Sequence, residues 1–202
     1  MMLTGWGYEV DELGEILTID EFNAMTGGRY TGDQRIQPLL NAATAAVRNY
    51  CGWHVAPSEA CSISARAHDL RMIYSGSDVI IQLPAMFVSA VDAVTVGGVE
   101  VEDFSIETNG LLRLYDCCVP SRKTVITVSY TAGLPEELAG AVMELIGHRV
   151  THGLAQSYGV QSETAGGVSI TYSANWINSA RATALPDDNR EVLTPYRLQG
   201  VF

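Results

Sequence analysis

Two helical stripes frame the chain and limit what it can fold into. Ile36, Leu39, Leu40, Ala43, Val47 and Tyr50 return to one face of a helix. Much later, Leu138, Val142, Leu145, Ile146, Arg149 and Val150 trace a second helix. A helix with one apolar stripe must bury it, so the two are expected to pack on each other. Asp33 suits the cap of the first helix, Pro38 falls early in it, and Gly52 sits where a C′ glycine ends it. Ala42, Ala43, Ala45 and Ala46 let a neighbour approach closely. Pro135 suits the first position of the second helix, with Glu136 and Glu137 at its positive end.

Between the stripes the period changes to two. Val79-Ile80-Ile81-Gln82-Leu83 is a short apolar run closed by Pro84. Val94-Thr95-Val96 and Val99-Glu100-Val101 flank Gly97-Gly98 and predict a tight hairpin. Phe104-Ser105-Ile106 leads through Asn109-Gly110, a second hairpin turn, to Leu111-Leu112-Arg113-Leu114. Val125-Ile126-Thr127-Val128-Ser129-Tyr130 alternates cleanly. The stretch predicts about six strands in an antiparallel module.

The outer segments are poorer in core residues. Thr18-Ile19-Asp20-Glu21 is a capping box that predicts a short helix over 19–25, stopped by Gly27-Gly28. Ahead of it, 1–17 carries four acids and no base and reads as a loosely held arm. Its Trp6 and Tyr8 are residue types that anchor interfaces. Near the other end, Val168, Ile170 and Tyr172 share a face of an exposed strand. Pro186-Asp187-Asp188 starts a last short helix through Leu193, and Pro195 ends it before Tyr196-Arg197-Leu198. Tyr172, Trp176, Tyr196 and Arg197 join Trp6 and Tyr8 as candidate partner-interface residues. The expected fold class is α+β: a small antiparallel helix bundle with an inserted antiparallel β module and extended terminal arms. The expected divisions are an N-terminal arm over 1–17, a bundle core over 18–54 and 131–158, a β insert over 55–130 and a C-terminal arm over 159–202.

Composition excludes several function classes. The 202 residues are 47% hydrophobic and 17% charged, with 23 acids against 12 bases and a net charge of -11. Coating nucleic acid needs clustered positive charge, which this balance argues against. No apolar run reaches the ~20 residues that span a bilayer. No base precedes Arg29, so a secretory signal is not expected. Cys51, Cys61, Cys117 and Cys118 form no CxxC pair and read as reduced thiols. Glu144, His148 and His152 align on one helix face, but Arg149 stands where the general base of an HExxH site would be. No nucleophile elbow, phosphate loop or dinucleotide fingerprint is present. The expectation is a protein that is not an enzyme and uses no cofactor or metal; a metal-dependent enzyme built on Glu144, His148 and His152 is the distant alternative.

The order of these features resembles a known family. Thr18-Ile19-Asp20-Glu21-Phe22, the Asp33 to Gly52 helix, Leu83-Pro84, Val91 to Val96, Val128-Ser129-Tyr130-Thr131-Ala132-Gly133 with Pro135, and the helix that follows are similar to head–tail connector (adaptor) proteins of long-tailed bacteriophages. The stretch from Ser162-Glu163 to Tyr172 and the Leu193 to Leu198 ending, with Pro195-Tyr196-Arg197, resemble their C-terminal parts. The β insert is larger than in the family's smallest members. The resemblance implies a structural subunit of the phage neck, made in the host cytoplasm and resident in the virion. It implies a homo-oligomeric ring of about a dozen copies, closed by head-to-tail contacts. That ring joins the portal protein to a stopper or tail protein and leaves a channel through which DNA passes without specific binding. A stopper or tail-completion protein is the neighbouring alternative. The acidic excess suits a channel wall that repels DNA and lets it slide. No membrane partner is implied.

Overall fold

The computed structural model describes residues 2–117, 120–155, 162–165, 168–171, 185 and 187–198, and the chain divides into two compact units. One holds the described parts of Met1–Gly14, Cys51–Ala139 and Tyr196–Phe202; the other holds those of Glu15–Tyr50 and Gly140–Pro195. Helices and antiparallel sheets combine into an α+β fold.

The first unit is built around one strand, β10 (Val125–Ala132). Its even-numbered residues Ile126, Val128, Tyr130 and Ala132 are fully buried, and the odd-numbered ones face outward, as period two requires. β10 pairs along its whole length with β3 (Glu59–Arg66) and on its other side with β6 (Val88–Val96). β7 (Val99–Glu100) folds back on β6 through Gly97 and Gly98, both at positive φ, as the Gly-Gly hairpin predicts. On the far side, β2 (Glu9–Val10) pairs with β3, and β1 (Met2–Leu3) pairs with β2. The six-stranded order is therefore β1-β2-β3-β10-β6-β7.

A second sheet has the order β4-β5-β9-β8, from β4 (Met72–Ser75), β5 (Asp78–Gln82), β8 (Phe104–Glu107) and β9 (Leu111–Leu114). Val79 and Ile81 stand opposite Leu114 and Leu112 in register, and all four are buried. β8 turns into β9 at Asn109 and Gly110, both at positive φ. The 55–130 region thus carries eight strands rather than about six, because β3 and β4 are strands too.

The segment read as a loosely held arm, 1–17, differs from that expectation. Thr4 closes a turn by donating its N–H and its hydroxyl to the Tyr8 carbonyl, and Asp11 donates to the Ala60 carbonyl. Tyr8 and Val10 alternate into the core and are buried, because the period-two pair can add to the free side of β3.

The second unit holds α1 (Ile19–Met25), most of α2 (Ile36–Cys51) and of α3 (Glu136–Ala155), a β11–β12 hairpin (Ser162–Ala165 with Val168–Thr171) and α4 (Asp187–Leu193). The capping box forms as read: the Thr18 hydroxyl oxygen accepts from Glu21 N–H, and the Glu21 carboxylate accepts from Thr18 N–H. Asp33 accepts from Arg35 N–H ahead of α2, and Gly52 follows α2 at positive φ. The stripe residues Ile36, Leu40, Ala43 and Val47 are buried, as are Val142, Leu145, Ile146 and Val150 of α3. Leu138, read as part of the second stripe, is instead exposed: it lies in the first turn of α3, beyond the buried face. Gly153 of α3 faces Leu39 of α2, where a Cβ would come within 3.2 Å of the leucine side chain. The expected last helix over 186–193 is found at Asp187–Leu193.

Candidate interaction surface

The first unit brings together residues from both ends of the chain. The ring of Trp6 stacks on Tyr8 at 6.2 Å between centroids, and Tyr8 meets His54 at 5.9 Å. His54 meets Trp53 edge-on at 5.4 Å, Trp53 stacks on Phe87 at 6.2 Å, and Phe87 meets Tyr196 at 6.2 Å. These contacts form one continuous row from Trp6 to Tyr196. Pairs at such spacings contribute about 0.5–1.5 kcal/mol each beyond area burial.

The middle of the row is core. Tyr8, Trp53 and His54 are buried. The His54 Nε2 lies 2.8 Å from the Ala132 carbonyl, which can only accept, so Nε2 carries the proton. The Tyr8 hydroxyl then donates to Nδ1 at 2.8 Å and accepts from the His54 backbone N–H at 3.0 Å. Both imidazole nitrogens are thereby engaged. Tyr130 stands 6.5 Å from Tyr8, its hydroxyl buried, and burial pushes its ionisation well above the ordinary tyrosine range. Next to β10, Gly133 runs so close to Ser58 that a Cβ there would collide with backbone. The Val128 to Gly133 run is thus a strand end fixed by close backbone packing.

The ends of the row reach the surface. Trp6 and Tyr196 are half-buried, and Arg197 is exposed. Trp53 Nε1 donates to the Tyr196 carbonyl at 2.8 Å, and Leu198 N–H donates to the Cys51 carbonyl at 3.0 Å. Of the candidate interface residues, the structure places Trp6, Tyr8 and Tyr196 along this row, with Arg197 beside it. Tyr8 is enclosed rather than offered. Tyr172 and Trp176 lie outside the described residues. The row's own links, Trp53, His54 and Phe87, were not among the candidates, because nothing local in the sequence joins positions so far apart.

The helix-face triad is open to solvent. His148 Nε2 lies 3.6 Å from Glu144 Oε1, and both side chains are largely exposed, as is His152. Among the described residues, no group of three or more His, Cys, Asp or Glu side chains is placed to hold a metal ion. No described helix is long and apolar enough to cross a membrane.

The model of one protein family, head completion protein, matches residues 15–198. The chain belongs to the head completion protein family. The match takes in α1, α2, both larger sheets from β3 onward, α3 and the Tyr196-Arg197 ending; Trp6 and Tyr8 lie ahead of it. Comparison with curated proteins finds no match. Membership supports the resemblance to phage head–tail connectors, and gives this head completion protein a structural role in the virion with other head or tail proteins as partners.

Proposed function

We propose that this head completion protein is a ring subunit of the phage neck, joining the portal of the head to the stopper or tail and leaving a channel for DNA. The observation that carries the reading is the family match over residues 15–198, which spans nearly all of the described elements. In this reading α2 and α3 clasp as a small antiparallel bundle, a core drawn from 18–54 and 131–158. The buried stripes of both helices and the close approach of Gly153 to Leu39 support that arrangement. The β insert over 55–130 and the two chain ends then supply attachment surfaces. Copies number about a dozen and meet through heterologous contacts that close on themselves.

The portal contact falls to Trp6, Tyr196 and Arg197, with Tyr172 and Trp176. Trp6 and Tyr196, half-buried and already held in place, lose little side-chain freedom on binding, and Arg197 beside Tyr196 adds a charged donor. The net charge of -11 suits a bore that repels DNA rather than holding it.

Imaging of assembled heads tests the reading. A closed ring of this chain between portal and tail is expected; its density elsewhere in the virion would exclude the neck role. Binding to isolated portal complexes without tail proteins separates a portal-joining ring from a stopper. Arg197→Ala is expected to weaken portal binding at least about tenfold with the melting temperature unchanged, since an exposed side chain contributes little to folding.

A further inference from the structure

The six-stranded sheet carries a basic cluster where β3 leaves it and β10 enters it, and an acidic stretch along its β7 edge. Residues directly opposite in an antiparallel ladder share a face. Ser64, Thr127, Thr95 and Glu100 form one such row across β3, β10, β6 and β7. Arg66 lies two residues beyond Ser64, so it points to the same face as Glu100. Three strand spacings across and two residues along separate them, about 16 Å. That exceeds the ~8 Å screening length of physiological salt, so neither neutralises the other within one chain.

The basic side is a cluster. The His68 Nδ1 lies 2.8 Å from the Arg122 carbonyl, which brings the exit of β3 against the entry of β10. Arg66, Arg122 and Lys123 are exposed there, with Asp69 the nearby carboxylate, held 3.2 Å from His68 Nε2. β2 covers β3 only at Cys61 and Ser62, leaving the Arg66 end of its edge open. The acidic side follows β7: Glu100, Glu102 and Asp103 are all exposed. Among the described residues, none of these three acids or of Arg66, Arg122 and Lys123 makes an ion pair. Exposed Val125 and Val99 add apolar surface to the two sides.

Copies with a net charge of -11 repel one another unless their contact sets base against acid. We infer that Arg66, Arg122 and Lys123 of one copy dock on Glu100, Glu102 and Asp103 of the next. This deepens the ring reading and rests on it. The contact is heterologous, uses different surfaces on each copy and leaves each free to receive a further one. Complementary charge also fixes the direction of addition, because like sides repel.

Native mass spectrometry of the purified chain, and of heads carrying it, reads the assembled fraction. Arg122→Glu with Lys123→Glu, or Glu100→Lys with Glu102→Lys, is expected to lower that fraction at least about tenfold. The chain carrying all four changes sets acid against base again at these positions and regains assembly, which a misfolded variant could not do. Rings that survive both reversals overturn this contact and leave the ring reading standing. A wild-type chain that stays monomeric in solution and on heads overturns both. Intact rings of Arg122→Glu with Lys123→Glu that no longer retard duplex DNA, where the wild type does, would assign the bases to phosphate instead.

Discussion

The Tyr8 hydroxyl lies between two groups of His54, 2.8 Å from Nδ1 and 3.0 Å from the backbone nitrogen. One oxygen thereby ties the first strands to the start of the sheet unit. Tyr8→Phe keeps the ring and its packing but removes a donor to Nδ1 and an acceptor for the N–H. In a buried site that loss costs about 1–3 kcal/mol. Thermal or denaturant unfolding should show a drop of that size, and an unchanged midpoint would mean that the bonds contribute nothing net.

Tyr130 provides the opposite case. Its hydroxyl is buried with no hydrogen-bond partner among the described residues, while its ring lies in the core beneath β10. Tyr130→Phe removes a desolvated polar group and little else. It is expected to leave stability unchanged or raise it by about 1 kcal/mol. A clear loss in urea midpoint would show that the hydroxyl is satisfied in solution.

Burial sorts the thiols. Cys51 and Cys61 are buried, and the lost solvation pushes each up to about 12, so at neutral pH neither forms the reactive thiolate. Cys117 is half-buried. Peptide mapping after brief N-ethylmaleimide treatment at pH 7.5 should find Cys117 alkylated and Cys51 and Cys61 intact. Unfolding in guanidinium should expose both. Alkylation of either in the native protein would contradict the core assignment.

Much of this architecture was legible locally. The Thr18 box, the α2 and α3 starts and the two glycine-bearing hairpins each depend on residues close in sequence, and each formed. β3 was not legible: Glu59-Ala60-Cys61-Ser62-Ile63-Ser64-Ala65-Arg66 holds one β-branched residue and takes strand form because β10 pairs along all of it. The first strands were missed for the same reason, since two residues, Glu9 and Val10, gain their partner from a distant strand. The aromatic row and the charged sheet sides are likewise products of register. Arg66 and Lys123 stand far apart in sequence and come to the same end of the sheet only because Val125 is opposite Arg66.

The entry to α2 carries an acid-sensitive contact. Asp33 accepts from the side chain and backbone N–H of Arg35, with an ion pair at 2.5 Å, and these bonds hold its carboxyl down at about 2. In the unfolded chain an aspartate titrates near ~3.9. A depressed folded value means that the unfolded state binds the proton first. The contribution is therefore complete above about pH 4 and is lost as pH falls from about 4 to about 2. Asp33→Asn preserves a good capping residue but removes the charge. Wild type should exceed Asp33→Asn in melting temperature at pH 6, and the two should converge as pH falls through that window. A difference that stays constant down to pH 2 would show that the carboxylate's charge plays no part in fixing the start of α2.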